Sequence, residues 1–341
     1  MALAIPFTYG NVLRVLAKRK FYIRHIQVIE AVQEVDQVVL DKTGTLTDNK
    51  ELRLTYEGAE LSRLEKSVIR SMTSQSSHPL SIGIADLLEN IDIDRDLKVE
   101  EFPGLGLLTK INGRAFKLGS AAFVGDDQSQ QKGVFWKVGQ EIRGVFLVKN
   151  QYRKSLPAFI QQLKTKFELS LLSGDNDQEK ERLTPYFDSP DQLHFDQSPT
   201  DKLTFVAGRQ AEGKKVLMLG DGINDAGALQ QSNVGLVLTE DINNFTPASD
   251  AIIAAERFHL LPEMLAFIQE SRWIVYLAYF IASCYNIIGL SYAVQGLLSP
   301  VVAAILMPLS AITIVIIGVM GSSGLAYWKL GKEGDENHQW V

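Results

Sequence analysis

The chain has 341 residues, with 34 lysines and arginines against 40 aspartates and glutamates, for a formal net charge of −6. That length and an apolar share of 46% allow two or more packed domains. The acidic balance gives no electrostatic reason to expect a nucleic-acid partner, and the single cysteine, Cys284, excludes a disulfide framework and suggests a reducing compartment.

The first 25 residues, "MALAIPFTYGNVLRVLAKRKFYIRH", start apolar and turn basic, the reverse order of a secretory leader. The expectation for residues 1–30 is the end of a transmembrane helix followed by a cytosolic connector, which would leave the natural upstream part missing. A first block of an α/β domain is then expected over 31–48, where "QVVL" is a short, largely apolar strand. From 49 to 144 the texture changes. Helical segments near Leu61–Met72 and Leu80–Leu88 precede hairpin-like strands, and Asn112-Gly113 sits between two alternating segments as a two-residue turn. The α/β pattern resumes over 145–257, with strands at "LSLLSGD", "KKVLMLGDG" and "VGLVLT". There "YRKSLPAFIQQLKTKF" carries Leu156, Phe159, Ile160 and Leu163 at helical spacing. Short apolar strands alternating with amphipathic helices predict a doubly wound parallel sheet covered on both faces, with an α+β domain inserted into it.

From Trp273 to Trp328 there is no Asp, Glu, Lys or Arg. Such a run accommodates two helices of about 20 residues, the length that crosses a bilayer, with a reversal at "QGLLSP", Gln295–Pro300. A connector and a transmembrane hairpin are therefore expected over 258–330, with an acidic cytosolic tail at 331–341. Arg272 before the run and Lys329 and Lys332 after it place both outer ends in the cytoplasm.

Ligands of open parallel sheets gather outside the carboxyl ends of the strands. Three strands end in polar clusters: Asp41; Ser173, Gly174 and Asp175; and Asp221 with Asn224 and Asp225. Carboxylates converging on one edge repel one another unless a cation sits among them, and Mg²⁺ suits hard oxygen ligands beside a phosphate. Asp41 can act as a nucleophile toward a phosphoryl group, with the backbone amides of Lys42, Thr43 and Gly44 forming an anion nest and Thr45 offering a hydroxyl. Lys202 can neutralise the transferred group and Ser173 can donate to it.

In this order, "DKTGTLTD", "SGD", "SPTDK" and "GDGINDAGAL" resemble the phosphorylation-domain signature of the P-type ATPases, members of the haloacid dehalogenase superfamily. The resemblance implies that Asp41 is phosphorylated, that Asp221 and the Thr43 carbonyl bind magnesium supported by Asn224 and Asp225, and that Lys202 and Ser173 contact phosphate. Soluble phosphatases of the superfamily carry a second aspartate two residues after the nucleophile. Here that residue is Thr43, so the acyl phosphate is expected to persist.

Within the insert, "SSHPLS" and "PGLGLLTKINGRAFKLGS" resemble the nucleotide domain of the heavy-metal branch. They make His78, Pro79, Gly104, Gly106 and Gly119 the expected ATP-binding residues. Two departures stand out: Thr73 replaces a glutamate that many relatives carry five residues before the histidine, and Asn150 replaces a frequent aspartate. In the two spans, Tyr285 with Asn286 and Met307 with Ser310 resemble the ion site of copper-exporting members, although the second serine of that pattern is Ala311 here. A thioether suits monovalent copper. The wording of the spans is similar to copper pumps of cytochrome oxidase assembly.

The resemblance therefore implies an integral protein of the inner or plasma membrane with cytoplasmic catalytic domains, using ATP and Mg²⁺ to move Cu⁺. Zinc or cadmium is the alternative cargo. The Cys-Pro-Cys helix and the actuator domain of the same pump would be missing upstream domains, so that activity would be incomplete alone. A membrane-tethered phosphatase and a nonenzymatic ATP-binding half of a split pump are the competing readings.

Overall fold

The structure is a computed structural model, and it describes residues 3–47, 53–126, 133–149, 151–222, 224–240, 249–297 and 299–331. In chain order the strands are β1 (Phe21–Ile23), β2 (Gln37–Asp41), β3 (Arg53–Gly58), β4 (Val99–Phe102), β5 (Gly106–Ile111), β6 (Arg114–Gly119) and β7 (Val134–Val138). There follow β8 (Glu141–Lys149), β9 (Glu168–Leu172), β10 (Leu193–His194), β11 (Val216–Gly220), β12 (Val234–Thr239) and β13 (Ala251–Ala254). They form two sheets, one in each of two compact units.

The unit formed by Met1–Leu46 and Arg153–Val341 holds the sheet β1-β13-β12-β11-β2-β9-β10. Its pairs are parallel except the edge pair β1–β13. Every residue of β2 and β11 is buried, as expected of central strands when both faces of a sheet are covered. From β2 the chain builds outward through β9 to β10, then returns to the other side of β2 for β11, β12 and β13. The switch point lies between β2 and β11, where ligands of such sheets collect. The register puts Leu40 beside Leu219 and Asp41 beside Leu172, so the three central strands end level.

The predicted helix around Leu156 forms over Leu156–Lys164 and buries all four spaced apolar residues. It is shorter than the pattern because Pro157 belongs in a first helical turn, which fixes the start. The two C-terminal helices, Leu261–Val294 and Pro300–Leu330, are long and apolar enough to cross a membrane. At 34 and 31 residues they exceed the expected length, and the excess in the first has a purpose. Leu261, Met264, Leu265, Phe267, Ile268 and Ser271 are buried, and large exposed apolar residues begin only at Trp273. One helix thus begins as a packed element and continues as a segment long and apolar enough to cross a membrane. Helix Ala4–Lys18 joins this unit through Asn11, whose Nδ2 donates to Val319 O, Ser322 Oγ and Ser323 Oγ.

The unit Thr47–Tyr152 holds an antiparallel sheet, β3-β8-β7-β6-β5-β4, with helices Arg63–Thr73 and Pro79–Leu87. Its core gathers Leu54, Ile69, Met72, Ile84, Trp136 and Phe146. Asn112 and Gly113 have φ of 50° and 79°, the left-handed pair that the β5–β6 turn requires. The expected border at 144/145 moves to 152/153, because β8 pairs with β3 from Gly144 to Lys149 and Tyr152 bridges Thr47.

Candidate functional site

At the switch point Asp41 ends β2 with only 3% of its surface exposed. The turn after it passes through Thr43 at φ −81°, ψ 126° and Gly44 at φ 76°, and that left-handed step is what the glycine permits. Lys202 comes from helix Pro199–Ala211, and the rest of "SPTDK" builds that helix's start. Ser198 accepts from the Asp201 N–H, Asp201 answers the Ser198 N–H, and Pro199 occupies the first turn. Lys202 Nζ then lies 2.5 Å from Asp41 Oδ1 and 2.6 Å from Asp225 Oδ1.

Burial pushes the Asp41 carboxyl up to about 7, and the Asp225 charge adds to the rise while Lys202 opposes it. Asp225 is raised too, chiefly by burial. For Lys202 burial pulls the other way, but its two carboxylates outweigh it and the net shift is upward. One ammonium thus balances two buried acids.

Asp41, Thr43, Gly174, Asp175, Lys202 and Asn224 line a cleft of about 500 Å³. Ser173 and Thr45 are fully buried behind it. Ser173 Oγ accepts from the Asp175 N–H at 3.1 Å, which shapes the loop and leaves the hydroxyl hydrogen to donate. Two side chains here were not singled out from sequence, the Lys42 ammonium and the Glu179 carboxylate. Lys42, 1% exposed, lies 2.8 Å from both Asp175 Oδ2 and Glu179 Oε2, and Thr43 Oγ1 donates to Asp175 Oδ2 at 3.1 Å. The lysine inside "DKTG" was a usable signal; Glu179 had none.

The residues fit a hard cation. Asp225 Oδ2 and Thr45 Oγ1 are buried without a hydrogen-bond partner, a cost that a ligand at the edge would relieve. A Cβ on Gly220 would stand 2.7 Å from Asp225 Oδ2, so the glycine leaves room for that carboxylate. Asp221 lies close enough for its charge to raise both Asp41 and Asp225. Oxygen donors of this kind suit Mg²⁺.

A second cleft, of about 200 Å³, lies within Thr47–Tyr152 and includes His78, Gly104, Gly106 and Gly119. His78 caps helix Pro79–Leu87, its Nδ1 accepting from the Leu80 N–H at 3.2 Å, and Pro79 takes the first helical position. Gly106 and Gly119 face each other across β5 and β6, and a Cβ on either would strike the other's backbone. Thr73 is 1% exposed and its hydroxyl donates to Ile69 O, so it does not reach this cleft. Asn150 lies outside the described residues.

Tyr285 and Asn286 lie on the first long helix and Ser310 on the second. Tyr285 and Ser310 are half-buried and Asn286 is exposed. The side chain of Met307 lies outside the described residues.

A family model described as haloacid dehalogenase-like hydrolase matches residues 35–233. A probable copper-transporting P-type ATPase B of Staphylococcus haemolyticus is 27% identical over 93% of this chain and 50% of its own length. The chain thus spans about half the length of that relative. Among solved structures, a zinc-transporting PIB-type ATPase in its E2.Pi state matches 93% of this chain and 55% of its own, with a TM-score of 0.73 at 20% identity. The catalytic CPx-ATPase domain CopB-B matches 76% of this chain and 98% of its own, with a TM-score of 0.57 at 24% identity. These likenesses carry the fold.

Proposed function

Because the chain belongs to the haloacid dehalogenase-like hydrolase family, we propose that it is the catalytic and C-terminal membrane part of a heavy-metal P-type ATPase, phosphorylated on Asp41. The observation that carries this reading is the arrangement of Asp41, Lys202 and Asp225, buried together at the switch point beside an open cleft.

ATP held by the unit Thr47–Tyr152 is the phosphoryl donor. A carboxylate oxygen of Asp41 attacks the γ-phosphorus; the Asp41 O–P bond forms, the bond to the β,γ-bridging oxygen breaks, and ADP leaves. Lys202 balances the negative charge that builds on the transferred group, and the Thr43–Gly44 turn directs backbone amides to it. Magnesium would be held by Asp41, Asp221 and the Thr43 carbonyl, with Asn224 and Asp225 behind them, and it supplies charge neutralisation at the phosphate. Thr43 stands where a phosphatase has its general base, and its hydroxyl is tied to Asp175. Hydrolysis of the acyl phosphate is therefore slow, which suits an intermediate that drives a conformational step and disfavours a simple phosphatase.

The cargo of the whole pump is a soft metal cation, with Cu⁺ favoured over Zn²⁺ or Cd²⁺. The sequence supports this with the Met307 thioether in one span and Tyr285 and Asn286 in the other, together with the copper named for the Staphylococcus relative. The two apolar helices are the bilayer contact. With γ-labelled ATP and Mg²⁺, acid quench should trap label that hydroxylamine releases and that Asp41→Asn abolishes. Label that resists hydroxylamine, or survives that substitution, contradicts the reading. In a full-length pump, Cu⁺ should raise the labelling and Zn²⁺ should not.

A further inference from the structure

The cleft in the unit Thr47–Tyr152 has a polar edge that the sequence motifs do not account for. Ile84, Leu105, Leu107, Leu118 and Val134 give it apolar walls, and among the described residues none that lines it is a lysine or arginine. A slot of this size without a cation suits a flat base ring and leaves a polyphosphate to lie outside. Glu101 is the carboxylate that lines it.

Glu101 is on β4, the edge strand, opposite Leu107 of β5. Its Oε1 accepts from Ser76 Oγ at 2.8 Å, and the same Ser76 oxygen accepts from the His78 N–H at 3.2 Å. Ser76 is 7% exposed, so one buried hydroxyl fixes the acid relative to the loop that launches the His78 helix. Thr73 is turned into the backbone of its own helix, so the acid of this cleft comes from a different element.

Resting on the ATP-dependent reading above, we infer that Glu101 is a specificity-determining residue that accepts a hydrogen bond from the 6-amino group of a bound adenine. Oε1 is engaged by Ser76, which leaves Oε2 as an acceptor for one further donor. An ionised carboxylate can only accept, so it favours a base that offers a donor at position 6. A base lacking that amine forgoes this bond.

The test is equilibrium binding to the whole chain in detergent, without magnesium, of ATP and of purine riboside triphosphate, which lacks only the 6-amino group. The wild-type chain should bind ATP about tenfold more tightly than the analogue, the worth of a hydrogen bond to a charged group. Glu101→Ala should lower ATP affinity by about that factor, leave the analogue within about twofold and so erase the preference. Glu101→Gln should keep part of it, because its amide oxygen still accepts. Equal loss for both nucleotides, or an ATP preference unchanged in Glu101→Ala, overturns the inference while leaving the ATPase reading intact. A wild-type chain that binds neither nucleotide overturns the ATPase reading as well.

Discussion

On the proposed reading Asp41 faces opposed demands: it must be ionised to attack phosphorus, and it sits where ionisation is costly. Its folded pKa of about 7 lies above the ordinary 3.8, so the folded state holds this proton more tightly than the unfolded chain does. The corresponding stability is full below the unfolded value and is lost as pH rises through about 7. Without divalent cations, the fall in urea midpoint from pH 4 to pH 7 should be shallower in Asp41→Asn than in the wild type. Equal slopes would show that Asp41 is not the group titrating. Magnesium binds the ionised form, so its thermal stabilisation should be larger at pH 8 than at pH 6. Lys202→Met leaves two buried acids without their cation, and at pH 8 it should cost about 3–5 kcal/mol by urea unfolding, less at pH 5, where the acids can protonate. Asp41 was legible in the sequence because it closes a strand, and Asp225 because it stands in the "GDGINDAGAL" motif that follows one. The Lys42–Asp175–Glu179 ion pairs were not, because Glu179 reaches the site through tertiary placement alone.

Helix Pro199–Ala211 shows how an element serves a residue. Ser198, Pro199 and Asp201 set where the helix begins, and that start sets where Lys202 points. Ser198→Ala removes the cap, which should cost about 1 kcal/mol of stability and slow phosphorylation of Asp41 more than it weakens ATP binding, since the nucleotide cleft is lined by other residues. Equal losses in both would place the effect on the fold at large. The sequence pattern located the helix around Leu156, the Asn112-Gly113 turn and the central strands, because periodicity and turn chemistry are local. It did not separate the buried start of helix Leu261–Val294 from its apolar remainder, because burial of Met264, Phe267 and Ile268 depends on partners distant in sequence. The border of the inserted unit was likewise hidden, since the pairing of β8 with β3 is decided by strands about 90 residues apart.

On the scale of the molecule, a parallel sheet puts its polar ends at one edge while two long apolar helices leave from the same unit. Trp273 and Trp328 are exposed at matching ends of the antiparallel pair, beside Arg272 and Lys329, an aromatic and basic border of the kind found at membrane interfaces. Cys284 being the single cysteine, a Cys284→Ser background allows topology to be read. A cysteine placed at Ser299 should react with an impermeant maleimide from the outer side of intact cells, and one at Gly331 only after lysis. Reaction of both from one side without lysis would contradict the hairpin. The central claim is covalent chemistry at one strand end, and borohydride reduction tests it most directly, since an aspartyl phosphate is reduced to homoserine. After incubation with ATP and Mg²⁺, acid quench and reduction, peptide mass spectrometry should find homoserine at position 41 and nowhere else. An unreduced Asp41 in a chain that has taken up label, or homoserine at another aspartate, would contradict the account.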